Sequence, residues 1–130
     1  PDFSENPKTE IKLIKKSIEI LKNDKRKKMV ITDYQFLSLV LNEDLNIPNR
    51  WYTHDGNSYP LKNHKLYSSY KEFINKKLKK EEIKVIYIVD SKPKGGIKFK
   101  NFQEYLTDNC FNSKDIVEDI VSSHEIISCK

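Results

Sequence analysis

The run Lys84-Val85-Ile86-Tyr87-Ile88-Val89-Asp90 constrains this chain more than any other feature. Its central residues are all β-branched or aromatic, the types that suit a pleated strand. They do not alternate with polar residues, so both faces of the strand must be covered, as in a central parallel strand flanked by helices. The run is far short of the roughly 20 residues that cross a bilayer as a helix.

The neighbouring segments supply helices for that strand. Residues 1–8 form a polar, Pro-punctuated lead-in. Residues 9–22 read as an amphipathic helix, with Ile11, Ile14, Ile18 and Leu21 on one stripe and Lys12, Lys15, Lys16, Glu19 and Lys22 facing water. Met29 to Thr32 reads as a short strand. Asp33 or Thr32 can cap a helix over about 34–42, which is apolar almost all round and is expected to be buried on more than one side. A third helix over about 66–80 puts Tyr67, Tyr70, Phe73, Ile74 and Leu78 on one face.

Asn101 and Glu104 have the spacing of a capping box for a short helix ending near Leu106. Asn109 to Phe111 reads as a short strand and residues 113–121 as a last helix, through Ile116, Val117, Ile120 and Val121. His124 to Cys129 reads as an edge strand. The expected fold is therefore one α/β domain over residues 9–130. It is a three-layer α/β/α sandwich around a small, mainly parallel sheet of three to four strands, with Met29–Thr32 and Ile83–Val89 adjacent. The topology is Rossmann-like without the dinucleotide motif.

A length of 130 residues suits one hydrophobic core, and 37% hydrophobic residues are enough to build it. The net charge of +5 would ordinarily point to nucleic acid or an anionic membrane, but the lysines, interspersed with 19 acids, read as a solvated surface. Of the 24 basic residues, only Arg26 and Arg50 are arginines, and base and phosphate recognition leans on the arginine fork. No nucleic-acid partner is expected. The abundance of Lys, Ile and Asn with no Ala is instead the imprint of an AT-rich genome. The chain opens on Pro1-Asp2-Phe3 without a starting Met or an apolar signal segment, which suggests an excised fragment.

Ligands of open α/β sheets favour the crevice beyond the carboxyl ends of the strands. Asp33 and Asp90 sit at two such ends and could pair to hold a divalent cation or do acid–base work, although each has a plainer role in a cap or turn. Lys94, followed by Gly95-Gly96, could help cradle an anion, yet the segment matches neither a P-loop nor G-x-G-x-x-G. Residues 46–65 form a long irregular loop, uncommon in so small a domain. It concentrates Arg50, Trp51, Tyr52, His54, Asp55 and Tyr59. Its aromatics can stack on a sugar and Arg50 can grip an anion, or Trp51 and Tyr59 can plug the loop onto the body.

His54, Asp55 and Ser58 make a poor triad, since all lie in one turn with no oxyanion element. His124, beside Glu125, reads as a surface residue. No metal site, catalytic group or cofactor is expected. Cys110 and Cys129 allow one disulfide or two free thiols, and the compartment decides. If the last strand runs antiparallel to the segment around Cys110, the two Cα atoms can approach bridging distance.

Ile31-Thr32-Asp33-Tyr34-Gln35-Phe36, Asn49-Arg50-Trp51-Tyr52, Lys84 to Val89 and the terminal segment from Cys110 to Cys129 together carry a resemblance. The pattern resembles the soluble C-terminal part of polytopic GT-C-type glycosyltransferase-like membrane proteins, related to dolichyl-phosphate-mannose–protein mannosyltransferases. In that superfamily the catalytic acids lie between transmembrane helices, so the resemblance transfers no catalytic residue. Arg50-Trp51-Tyr52 does not match the W-W-D motif of oligosaccharyltransferases.

The resemblance implies a non-catalytic accessory or binding domain on the extracytoplasmic (periplasmic) face of a bacterial inner membrane. Its partner would be the membrane-embedded portion of the same polypeptide, and its ligand a glycan or lipid-linked sugar. The alternative is a free-standing cytoplasmic α/β enzyme or phospho-ligand binder using Asp33, Asp90 and Lys94.

Overall fold

A computed structural model describes residues 7–32, 34, 36–48, 63, 65–89, 99–117 and 120–129. The chain order is α1 (Pro7–Asn23), β1 (Lys28–Thr32), α2 (Leu37–Leu41), α3 (Tyr67–Lys80), β2 (Val85–Val89) and α4 (Phe99–Phe102). A 3-10 turn (Gln103–Tyr105) continues α4, and β3 (Cys110–Val117) and β4 (Val121–Ile127) end the domain. The first turn of α1 takes Pro7, a position where the missing amide hydrogen costs no intrahelical bond.

The strands form one open mixed sheet in the order β1-β2-β4-β3. β1 and β2 pair in parallel, Met29 opposite Ile86 and Ile31 opposite Ile88. That is the adjacency the apolar run demands. The pairings of β2 with β4 and of β4 with β3 are antiparallel, so the sheet is not mainly parallel as expected. The source of the difference is residues 110–127. Ile116, Val117, Ile120 and Val121 carry helical spacing, but the segment folds as a hairpin closed by the Ile120 amide donating to the Val117 carbonyl at 2.8 Å. A hairpin returns antiparallel, where a helix would have permitted a parallel crossover. β1 satisfies only one edge of β2, and β4 takes the backbone groups of the other. Local periodicity does not register that demand.

β4 is consequently an interior strand, not the edge strand expected over His124 to Cys129, and β3 forms an edge of the sheet. His124 lies between Ile86 of β2 and Ser113 of β3 and is buried. The helix after Ser91–Lys98 begins at Phe99, ahead of the capping box expected at Asn101.

All five residues of both β1 and β2 are buried. On one face Met29, Ile31, Ile86 and Ile88 pack with Ile74 and Leu78 of α3, Phe102 of α4, Tyr105 and Leu106. On the other, Val30, Val85, Tyr87, Val89 and Val121 pack with Leu21 of α1, Leu37 of α2 and Leu45. α3 is held to the 3-10 turn by Asn75 Nδ2, which donates to the Tyr105 carbonyl at 2.8 Å.

Both α2 and α3 stop in the same manner. Asn42 and Glu82 adopt left-handed φ values of 51° and 52°. The next amides, of Glu43 and Ile83, then reach back to the Ser38 and Leu78 carbonyls at 3.2 and 3.0 Å. α2 is shorter than expected and is not buried all round, because only Leu37 is fully enclosed while Leu39 and Val40 face outward. The chain then runs beside β1, where the Val30 amide donates to the Leu45 carbonyl at 2.9 Å and so covers part of that edge strand.

Candidate functional site

Thr32 pairs with Val89, so β1 and β2 stop at the same level. Asp33 and Asp90, the next residues in the sequence, lie outside the described residues. So do Lys94 and the loop candidates Arg50, Trp51, Tyr52, His54, Asp55 and Tyr59. Of the residues singled out in the sequence as site candidates, Cys110 and Cys129 are described. They are joined by a disulfide with Cα atoms 5.1 Å apart. Cys110 opens β3 opposite Ile127 of β4, and Cys129 follows two residues beyond Ile127, so the bridge closes the open end of the hairpin.

The described polar residues gather in three places, two of them near the amino ends of β1 and β2. In the first, Asp24 accepts from Arg26 Nη2 at 2.7 Å, Arg26 Nε at 2.9 Å and the Arg26 amide at 3.0 Å. Tyr87 Oη donates to Asp24 Oδ2 at 2.6 Å. Arg26 Nη1 reaches across to Glu125 Oε2 of β4 at 3.1 Å. Burial alone would raise the Asp24 carboxyl, but the hydrogen bonds from Arg26 and Tyr87 and the guanidinium charge hold it well below the usual carboxylate range. The Tyr87 hydroxyl, buried and bonded to that carboxylate, is pushed up to about 12.

The second gathering lines a cleft of about 280 Å³ formed by residues 25–28, Glu43, Asp44, Asn46 and Glu81. Lys28 begins β1 with its side chain enclosed, and its Nζ donates to Glu43 Oε2 at 2.8 Å. Asn46, at a left-handed φ of 53°, donates from Nδ2 to the Lys28 carbonyl at 3.1 Å. Its amide donates to Asp44 Oδ1 at 2.8 Å. Among the described residues, Asn46 Oδ1 is buried with no hydrogen-bond partner. The cleft therefore mixes lysines with acids and two of its cations, Arg26 and Lys28, are already bonded to carboxylates. An anion would compete with those pairs for both.

The third is His124, wedged between two hydroxyls. Ser113 Oγ lies 2.7 Å from Nδ1 and Ser122 Oγ 2.8 Å from Nε2. Phe99 stacks on the imidazole with centroids 3.6 Å apart and planes 6° from parallel. Burial lowers the imidazole to about 4, so near neutral pH it is uncharged. One ring nitrogen then donates and the other accepts, which satisfies both contacts. The Ser113–His124 pair has the distance of a nucleophile and base. Ser122, however, occupies the position where a carboxylate would orient and charge the ring, and so acidic an imidazole is a weak base. The arrangement ties β3 to β4. The sequence does not reveal it because the Ser113 contact crosses a hairpin whose residues carry helical spacing.

Among the described residues no group of three His, Cys, Asp or Glu side chains is placed to hold a metal ion, and no helix is long and apolar enough to cross a membrane. Fold and clusters together define a small α/β domain with a mixed sheet, a disulfide-closed hairpin and polar groups committed to one another. No protein-family model, curated protein or solved structure matches the chain.

Proposed function

We propose that this chain is a non-catalytic extracytoplasmic accessory or binding domain of a membrane glycosyltransferase-like protein. The observation that carries the proposal is the Cys110–Cys129 disulfide, since such bonds persist in oxidising compartments and are rare in the cytosol. The described polar clusters favour the same reading. Asp24, Arg26, Lys28 and Glu43 are bonded to each other and His124 to two serines, an arrangement suited to fixing the domain rather than to turnover.

In this reading the helices on either face of β1 and β2 make a three-layer sandwich at the centre of the domain, with the β3–β4 hairpin as its antiparallel extension. The partner is the membrane-embedded portion of the same polypeptide, on the periplasmic face of a bacterial inner membrane. The ligand is a glycan or lipid-linked sugar, with Arg50, Trp51 and Tyr52 supplying a charged and aromatic contact surface.

Maleimide labelling of acid-quenched protein from its native compartment tests the proposal. The expected result is no labelling of Cys110 or Cys129 until a reductant is added. Two freely labelled thiols would overturn the extracytoplasmic location. Turnover of a sugar-phosphate substrate, lost in Asp33→Asn or Asp90→Asn, would overturn the non-catalytic reading and favour the free-standing enzyme.

A further inference from the structure

α2 presents an outward apolar face. Leu39 is 85% exposed, Val40 56% and Phe36 41%. The Leu39 and Val40 amides both bond to the Phe36 carbonyl, at 3.0 and 3.1 Å, which sets the three side chains at i, i+3 and i+4 on one side of a single turn. The opposite side of the turn is anchored by Leu37, fully buried, and Leu41, packed against the same core. A lone exposed leucine is ordinary. Three neighbouring large apolar side chains held outward on an anchored turn mark a contact surface.

The charge beside this face indicates what it contacts. α1 packs next to α2 on the same face of the sheet. Among its described side chains, Lys8, Lys12, Lys15, Lys16 and Lys22 are exposed, against the single acid Glu19, and Ile11 stands 52% exposed among them. The two exposed acids that follow α2 are already engaged, Glu43 with Lys28 and Asp44 with the Asn46 amide. Three side chains cannot supply the roughly 800 Å² per partner of a stable protein interface. An apolar prong beside a lysine-lined helix suits a layered surface, anionic at the outside and apolar just beneath it.

We propose that α2 inserts Phe36, Leu39 and Val40 into the headgroup region of an anionic lipid bilayer, with the lysines of α1 lying on its phosphates. This goes beyond the accessory-domain reading and holds with or without a glycosyltransferase partner.

Vesicle flotation tests it. The chain should float with vesicles of mixed phosphatidylglycerol and phosphatidylcholine and stay in solution with phosphatidylcholine alone. Leu39→Ser combined with Val40→Ser should weaken partitioning about tenfold or more, from the apolar burial it removes. Both positions face solvent, so the melting temperature and circular dichroism should not change. Leu39→Met should bind as the parent does. Absence of flotation with the anionic vesicles overturns the proposal. So does equal binding by the double serine variant, which would assign adhesion to lysine charge alone. A self-association abolished by the same two substitutions would assign the face to a second copy, and the proposal would fall.

Discussion

Tyr87 Oη donates to Asp24 Oδ2 at 2.6 Å, which ties the middle of β2 to the residue that follows α1. The same carboxylate accepts from Arg26, whose other nitrogen reaches Glu125 on β4. Three segments distant in sequence are thus linked through the half-buried Asp24 and its partner Arg26. The arrangement fixes α1 against the sheet at a point where Tyr87 is enclosed and apolar contacts alone would not define direction.

Tyr87→Phe removes the hydroxyl and keeps the ring. A hydrogen bond to a charged group contributes roughly 1.5–3 kcal/mol, and Arg26 remains to hold Asp24, so a loss of about 1.5 kcal/mol is expected in urea unfolding. The Asp24 carboxyl should titrate at higher pH in the variant, which NMR of its carboxyl carbon would show. An unchanged titration and an unchanged midpoint would mean that Arg26 alone sets the site.

His124 makes the domain acid-sensitive. Its folded value of about 4 lies below the 6.5 of an unfolded histidine. The unfolded state therefore binds the proton first as pH falls. The contribution is fully present above about pH 6.5, declines between 6.5 and 4, and totals about 3 kcal/mol. Asp24, also depressed, adds its own loss at lower pH, as the solution passes through the ordinary carboxylate range. Chemical denaturation at a series of pH values should show stability falling below pH 6.5 in the parent, and a flatter profile in His124→Asn. A flat profile in the parent would contradict the buried neutral imidazole.

The parts of the fold legible in the sequence were those set by local pattern. The apolar run of β2 announced a strand covered on both faces, and the stripes of α1 and α3 announced the helices that cover it. Residues 113–121 depart from expectation because Ile116, Val117, Ile120 and Val121 fit a helical period, while the deciding influence is the free edge of β2, a non-local demand. The enclosure of Lys28 is not legible, since nothing local in the run Lys25 to Lys28 reveals that Glu43 folds back over it. His124 was read as a surface residue for the same reason. Its serine partners are Ser122, two residues away on its own strand, and Ser113, across a hairpin that the reading did not contain. The candidate residues of loop 46–65, with Asp33, Asp90 and Lys94, lie outside the described residues.

The disulfide should stabilise the C-terminal hairpin more than its size suggests. β3 is the edge strand and most of its residues are exposed, so burial contributes little to holding it. A bridge between residues 19 apart restricts the unfolded chain by about 3 kcal/mol. Reduction, or Cys110→Ser with Cys129→Ser, should lower stability by about that amount. Amide exchange should rise first in β3. Protection of β3 that stays the same after reduction would show that pairing with β4 suffices.

Among the ion pairs of the described residues Lys28–Glu43 is the most asymmetric, with the lysine side chain 1% exposed and the glutamate 40%. The cost of breaking the pair therefore depends on which partner is removed. Glu43→Gln strands a buried ammonium beside a weaker acceptor. Fully buried pairs lose several kcal/mol on such a change, but water reaches the Glu43 carboxylate, so about 1–2 kcal/mol is expected. Lys28→Met removes the buried charge and leaves a glutamate that solvent already hydrates, so its effect should be smaller. Adding Lys28→Met to Glu43→Gln should restore most of what the single change lost, because no charge is then left enclosed. The coupling is read from the unfolding free energies of the parent, both single variants and the double variant. Strict additivity of the two changes would show that the ion pair does not govern the amino end of β1, and that the Lys28 stem is held there by packing alone.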